Sequence, residues 1–446
     1  MITSSVLYLP IGRRTFDMEA AKAVWKSSSE WLIQQCDTVY QPEAIVTSIE
    51  ELQAFLDSVR GQRFDSVLYQ SVTFADGEFA SQVLAFTEAP FIVWSVREPS
   101  VGGRLRLNSL TGGNSTCNVL QNHRRPFAFV FGNPDETALQ EQLLRQVQVQ
   151  RLIGDLGQLS IGVIGDHPPG FFFSDANESM LRDQLGVRLH KLDLHQAFKE
   201  SLQVEEDRWQ AAITRAEEQV VGLNRSEQTV VRFAQFYTYV QDYIQANRIG
   251  AVAVRCWPDF FTELGAAACS TLSQLTEVGV MASCESDIHG AISMYILHQL
   301  SRGSAPYLGD LVHVNEESNS VVFWHCGAGA YSLAHSHTGA RAGVHPNRKL
   351  GFTMDFGLKP GGVTIFRLGS TPDGYRLLIM KGEALDVPQP FHGTSVEVAL
   401  STPVLSTLNS LMIEGFEPHY AIVYDDVADT LVEFGRQLNI PTVIYV

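Results

Sequence analysis

Cysteine is scarce in this sequence, and no two cysteines are spaced as CxxC. Six cysteines among 446 residues are too few for a disulfide framework, so we expect reduced and mostly buried thiols.

Long Lys/Arg tracts are absent as well. The 49 acidic and 32 basic residues give a formal net charge of −17, which repels a phosphate backbone. A nucleic-acid partner is therefore not expected.

Long hydrophobic runs are also missing. No window approaches about 18 consecutive apolar residues, and the first residues, MITSSVLYLPIGRRTF, show no basic lead before an apolar stretch. Neither a membrane span nor an export signal is expected, and we predict a cytoplasmic protein. The composition, 45% hydrophobic and 18% charged, predicts a folded chain of two or three domains.

The order of apolar patterns predicts an α/β fold. Short β-branched runs alternate with amphipathic helical patterns over residues 1–156, which is typical of a parallel sheet in a Rossmann-like domain. Residues 157–307 repeat this rhythm and predict a second such domain, including one helical stretch from Val204 to about Asn247 and another in TELGAAACSTLSQLTE. Residues 308–446 change to strands separated by Gly/Pro turns and predict a β-rich, barrel-like domain with two terminal helices.

Two carboxylates stand where a predicted strand passes into a helix. In CESDIHGAISMYILHQL, Glu285 and Asp287 follow the strand GVMASCE, and open α/β sheets bind ligands just beyond the carboxyl ends of their strands. Asp287 or Ser286 has an alternative role as the N-cap of the helix. Capping explains Glu285 less well, so Glu285 is the stronger functional candidate.

Histidines are concentrated downstream of these carboxylates. Of 13 histidines, seven fall between His289 and His345, in a region that also contains Asp310 and the sequence WHCG around His325. Glu285, Asp310, His325 and a further histidine would form an oxygen-rich site suited to Mn²⁺, Mg²⁺ or Co²⁺. Neighbouring carboxylates raise each other's pKa unless a cation neutralises them, which favours such an ion. From the local sequence alone, a buried structural histidine is an equally good interpretation of His325.

Other kinds of site have less support. The stretch GVIGDHPPGF follows a strand but lacks GxGxxG, and its prolines remove amides that a pyrophosphate needs. No P-loop is present, and Ser332 and Ser336 do not lie in a GxSxG elbow.

Several segments resemble the L-fucose isomerase and L-arabinose isomerase superfamily. They are CESDIHGAISMYILHQL, YLGD, FWHCG and EPHYAIVYDDVADTLVEFGRQLNIPTVI, with NSLTGGNSTCNVL, GVIGDHPPGF and AVRCWPDFFTELGAAAC upstream. The resemblance implies a manganese ion held by Glu285, Asp310 and His419. His325 is similar to an additional metal ligand of the arabinose isomerase branch, whereas in the fucose isomerase branch it would contact the sugar.

The resemblance also implies an assembly. Members of this family have two Rossmann-like domains and a barrel-like domain, and they form trimers or hexamers in which a neighbour's first domain completes the active site. Loops at Gly12-Arg13-Arg14 and from Asn108 to Asn118 are then expected to reach a neighbouring subunit's sugar. A solvated turn is an equal alternative for the two arginines.

Together these features predict a metal-dependent aldose–ketose isomerase acting on a free sugar. Glu285 is the candidate base and Asp310 its partner, although the two roles can be exchanged. Trp257 or Trp324 would offer an apolar face to the sugar, and Asn118 is a further candidate substrate contact. The cation would stabilise an enediolate as a Lewis acid.

The sequence leaves the substrate and two other functions open. A sugar similar to fucose or arabinose fits, and a sulfonated hexose fits if Arg13, Arg14, Arg124 or Arg125 lines the pocket. A catalytically silent sugar-binding or regulatory protein of the same fold is one alternative function. A metal-dependent lyase or aldolase using the same enediolate chemistry is the other.

Overall fold

The computed structural model of the protein describes the backbone of residues 2–446 and the side chains of residues 4–446. Two compact units divide the chain, Met1–Gly154 and Asp155–Val446. Among the described residues, no helix is long and apolar enough to cross a membrane.

The first unit is a five-stranded sheet with helices between its strands. Its strands are β1 Ile2–Ile11, β2 Cys36–Tyr40, β3 Ser66–Ser71, β4 Phe91–Ser95 and β5 Phe127–Phe131. Its helices are α1 Met18–Gln35, α2 Ile49–Ser58, α3 Gly77–Phe86, α4 Ser109–Asn122 and α5 Thr137–Leu156.

All strand pairs of this sheet are parallel, in the order β2-β1-β3-β4-β5. This is a doubly wound order, in which helices cover both faces of buried strands. Three helices begin at polar caps: the side chains of Asp17, Ser48 and Asp76 accept hydrogen bonds from amides in the first turns of α1, α2 and α3. The predicted α/β pattern of this region is confirmed.

The helix α4 was not expected from the sequence. The segment from Asn108 to Asn118 is predicted as a loop, but it lies almost entirely within α4. A Cβ on Gly112 would lie only 3.1 Å from the Cα of Phe74, closer than an ordinary van der Waals contact, so glycine at this position favours close packing of the helix on the neighbouring backbone. The prediction of a loop is wrong because a glycine used for helix packing resembles a glycine used for turning.

The second unit contains the remaining elements. Its strands are β6 Ser160–Ile164, β7 Arg188–Leu192, β8 Val220–Val221, β9 Ala251–Val254, β10 Met281–Cys284, β11 Tyr307–Asn315, β12 Ser320–His325, β13 Ala340–Gly343, β14 Thr353–Gly357, β15 Gly361–Thr371, β16 Gly374–Ala384, β17 Thr394–Leu400, β18 His419–Val423 and β19 Thr442–Tyr445. Its α-helices are α6 Glu178–Leu185, α7 Leu194–Ser201, α8 Glu206–Gln219, α9 Gln228–Asn247, α10 Cys269–Glu277, α11 Ile288–Leu300, α12 Val404–Glu414 and α13 Ala428–Leu438. Short 3-10 helices span Phe172–Ser174 and Tyr331–Leu333, and a π-helix spans Phe260–Leu264.

Two sheets organise this unit. One is a parallel sheet in the order β10-β9-β6-β7. In the other, six antiparallel strands close on themselves in the order β11-β12-β17-β16-β15-β18. Helix α11 packs against β10 and against β15 and β18 of the closed sheet. The predicted parallel sheet and barrel-like region are confirmed, while the division into three domains stays a prediction.

Two long helices predicted in this unit are interrupted. The stretch from Val204 to Asn247 forms α8 and α9, separated by β8 and by a turn containing Gly222 at φ +81°. The stretch TELGAAACSTLSQLTE is divided between the π-helix and α10, with Gly265 between them at φ +73°. Gly265 is the left-handed C-cap that ends the π-helix, whereas α8 ends where Val220 turns to the extended conformation.

Candidate active site

A left-handed turn places Glu285 at the carboxyl edge of the parallel sheet. Glu285 and Ser286 join β10 to α11 with φ values of 58° and 54°. The Ser286 amide donates to the carbonyl of Val254 at 3.1 Å, and its hydroxyl donates to the carbonyl of Gly165 at 2.9 Å. The turn is thus tied to the ends of β9 and β6. Glu285 lies at the edge where sheets of this kind bind ligands.

The closed sheet brings an aspartate and a histidine to the same place. Asp310 on β11 and His419 on β18 are directly opposite each other in an antiparallel pair, and opposed residues project to the same face. The Nε2 atom of His419 lies 3.4 Å from Asp310 Oδ1 and 3.2 Å from Glu285 Oε2. Side chains from three distant segments therefore meet around one imidazole nitrogen.

Asp287 fixes the orientation of this histidine. Its Oδ2 lies 2.9 Å from His419 Nδ1, and its Oδ1 accepts a hydrogen bond of 2.8 Å from the Gly290 amide. The expected N-cap role is therefore confirmed, but it is only part of what Asp287 does. Arg367 donates to both carboxylate oxygens, at 2.6 and 3.1 Å, and both side chains are fully buried.

The charges around His419 alter its protonation. Burial by itself would lower the pKa of His419, but the neighbouring Asp287, Glu285 and Asp310 raise it to about 10. Burial would likewise raise the pKa of Asp287, yet Arg367 and His419 hold it well below its usual range. Burial raises the pKa of Asp310, against the opposing charges of His419 and His325. The site concentrates negative charge around one imidazole.

Aromatic side chains form one wall of the site. Trp257, after β9, donates from Nε1 to Glu285 Oε1 at 2.9 Å. Phe171 and Phe173, in the loop after β6, lie edge-on to Trp257 and His419 with ring centroids 5.2 Å apart in each pair. The two phenylalanines were not identified from the sequence. The run of three phenylalanines after a Pro-Pro-Gly loop was the available signal.

His325 lies between two sets of possible ligands. Its ring centroid is 5.6 Å from that of His419, while possible ligand atoms of Cys284, His325 and Cys326 lie within 4.8 Å of one another. Cys326 Sγ is also 3.3 Å from Cys269 Sγ. All described cysteines are free and most are buried, as expected. Whether His325 binds metal or sugar stays a prediction.

The donor set fits a divalent cation. Nε2 of His325 is buried and has no hydrogen-bond partner, which is costly unless something else satisfies it, and Nε2 of His419 faces two carboxylates without a well-aligned hydrogen bond to either. Ligand atoms about 2.1 Å from an octahedral ion lie about 3 Å from one another, close to the two separations measured from His419 Nε2. The carboxylates suit Mn²⁺ or Mg²⁺, and the imidazole ligands favour a transition metal over Mg²⁺.

The remaining candidate residues have different surroundings. Trp324 lies opposite Asp310 in the register of β11 and β12, and its Nε1 donates to the His392 carbonyl at 2.7 Å. Three candidates belong to the first unit: Arg13 pairs with Asp76, Arg14 Nη2 lies 2.9 Å from Glu51 Oε1, and Asn118 accepts from Asn122 at 3.2 Å. Their role towards a neighbouring subunit's sugar stays a prediction.

Comparisons with known proteins identify the family of this chain. Residues 350–445 match the family model described as L-fucose isomerase, C-terminal domain. Full-length relatives extend the similarity to the whole chain, and the protein belongs to the fucose isomerase-like family of aldose–ketose isomerases.

Three full-length relatives are similar to this chain over nearly all of its residues. Proteins of Priestia megaterium, Alkalicoccus urumqiensis and a Clostridium species, each named sulfoquinovose isomerase, are 65%, 56% and 39% identical to this chain. The matches cover 100%, 98% and 99% of this chain, and 100%, 99% and 99% of the relatives. The predicted family and the predicted enzyme class are confirmed.

Proposed function

We propose that this protein interconverts a sulfonated aldohexose and its 2-ketose, using a divalent cation such as Mn²⁺ and the pair Glu285 and Asp310. The names and full-length similarity of the relatives support a sulfonated substrate. The observation that carries the chemical proposal is the approach of both carboxylates to His419 Nε2, at 3.2 and 3.4 Å.

The reaction moves hydrogen between neighbouring carbons. A proton leaves C2 of the open-chain aldose, a proton is added to C1, and the hydroxyl proton on O2 passes to O1. Glu285 is the base that takes the proton from carbon. The hydrogen bond that Trp257 donates to Oε1 fixes the plane of its carboxylate. Asp310 carries the proton between the oxygens.

The cation and its surroundings have separate tasks. Glu285, Asp310 and His419, with His325 as a candidate fourth ligand, would hold a divalent cation, which would supply Lewis-acid stabilisation of the negative charge that develops on the sugar. Asp287 keeps Nδ1 of His419 occupied, so that Nε2 faces the carboxylates. Trp257 and Phe173 exclude water from the reacting carbons.

A proton-transfer reaction should leave a label in the product. With Mn²⁺ and a sulfonated aldohexose in D₂O, we expect a 2-ketose that carries deuterium at C1, measured by NMR and mass spectrometry. Neutral aldoses, including fucose and arabinose, serve as comparison substrates. Failure to convert any aldose would contradict the proposed function, and a ketose that acquires no solvent deuterium at C1 would contradict a role for Glu285 as a base that exchanges its proton with water.

Metal binding can be tested without turnover. Because a ligand that binds only the folded state stabilises it, we expect Mn²⁺ to raise Tm by a few degrees and EDTA to reverse the change. His419→Asn should remove the Mn²⁺-dependent shift, whatever its own Tm. His313→Asn is the control, since His313 is exposed on the same strand as Asp310. An equal Mn²⁺ shift in His419→Asn would contradict the proposed ligand set.

A further inference from the structure

A sulfonated sugar requires a permanent cation near the site. The described centre contains three carboxylates, and its one buried arginine, Arg367, is already paired with Asp287. A sulfonate is ionised at every working pH, and even with the proposed divalent cation bound, the three carboxylates leave the centre without a net positive charge to attract it. We propose that Arg348 binds the sulfonate of the substrate; this inference rests on the proposed function.

Arg348 lies beside the wall of the active site. It belongs to a turn between β13 and β14, and its Cζ lies 5.5 Å from the ring centroid of Trp257 and 5.9 Å from that of Phe261. The same indole donates to Glu285, so a single ring separates the guanidinium from the candidate base. Five C–C bonds of about 1.5 Å make an open hexose chain roughly 6 Å long. A substrate with its sulfonate at Arg348 can therefore place C1 and C2 near Glu285.

The guanidinium is available for an anion. Among residues 4–446, whose side chains are described, no carboxylate lies within ion-pair distance of Arg348, and its side chain is exposed. By contrast, Arg255, which follows β9, is held by Asp259 at 2.5 Å. Stacking on an aromatic face leaves the N–H groups of an arginine free at the edge of its plane, where they can bind two oxygens together.

The turn that carries Arg348 is held in place. The amides of Asn347 and Arg348 both donate to Nδ1 of His345 at 3.3 Å. The His345 ring lies edge-on to Phe261, with centroids 5.1 Å apart. Arg348 is thus positioned by its backbone and by two aromatic rings, which reduces the entropy cost of binding an anion.

Kinetics on two sugars can test this role. Arg348→Met keeps an apolar stem but removes the charge, and we expect kcat/KM for the sulfonated aldohexose to fall about 10- to 100-fold, mainly through KM. For the same hexose with a hydroxyl in place of the sulfonate, we expect a change of less than about threefold, because that sugar has no anion to lose. Arg348→Lys should recover part of the loss, and Arg341→Met, at an exposed arginine on β13, should change neither value.

The outcomes separate this inference from the proposed function. An unchanged KM for the sulfonated sugar in Arg348→Met would overturn the role of Arg348, provided that the wild type converts that sugar. An equal loss on both sugars would also overturn it, because it would indicate only a disturbed Trp257. If the neutral sugar proves unreactive, competitive inhibition by a short alkyl sulfonate replaces it, and that inhibition should weaken in Arg348→Met. A wild type that converts no aldose would instead reject the proposed function itself.

Discussion

Glu285→Gln is expected to lower kcat for aldose–ketose conversion by at least about a hundredfold, since a positioned general base contributes about 10² to 10⁴ in rate. Glutamine has nearly the same shape and can still accept the hydrogen bond that Trp257 donates to Oε1. It cannot take a proton from carbon. The variant should therefore fold and keep the geometry of its neighbours while losing turnover.

The measurement is initial ketose formation at saturating substrate and Mn²⁺, with the Mn²⁺-dependent Tm shift recorded for the same samples. Glu263→Gln is the matched control, because Glu263 is an exposed carboxylate of the same unit that pairs with His195. It should retain wild-type kcat. Full activity in Glu285→Gln would remove this residue from the mechanism, even if Mn²⁺ binding were weaker.

Arg367→Met is expected to lower the free energy of unfolding by about 3–5 kcal/mol. It leaves the carboxylate of Asp287 buried without the guanidinium that donates to both its oxygens. The pKa of Asp287 is lower in the folded state than in the unfolded chain, so its ionisation stabilises the fold at pH values above the ordinary pKa of aspartate. Acidification through the folded-state pKa removes that contribution, so the difference between variant and wild type should shrink as the pH falls.

Urea unfolding of the wild type, the variant and the double variant Arg367→Met/Asp287→Asn gives the test. Removing both charges should restore part of the lost stability, because an uncompensated buried charge costs more than an absent pair. Arg436→Met is the control: it breaks the more exposed pair with Glu433 and should cost less than about 1 kcal/mol. A loss in Arg367→Met no larger than this would show that the buried pair contributes little.

Most of the architecture could be predicted because it is encoded locally. The strands β6, β9 and β10 are short apolar runs followed by loops and helices, so the parallel sheet was visible in the order of patterns. The helix α4 could not be predicted, because Gly112 and its polar neighbours have the composition of a turn. Only the closeness of Gly112 to Phe74 explains why glycine occurs there.

Part of the candidate site could also be predicted from the sequence, and part could not. Glu285, Asp310 and His419 were proposed from strand ends and from a family resemblance, and the structure brings these three side chains together. The buried ion pair that holds these side chains in place could not be predicted. Arg367 is 80 residues from Asp287 in sequence, and only the packing of α11 against β15 makes them partners. A lone arginine in the apolar strand GGVTIFRLGS was the one available signal.

The turn at Glu285 and Ser286 has a consequence for how this enzyme can tolerate heat. Non-glycine residues in the left-handed region cost on the order of 1 kcal/mol or more each, and here two occur in succession. Glycine at position 285 would relieve that cost and also remove one of the carboxylates crowded around His419. Selection for resistance to heat in the absence of a divalent cation would therefore favour inactive proteins at this position, whereas selection in its presence would retain Glu285 as a ligand.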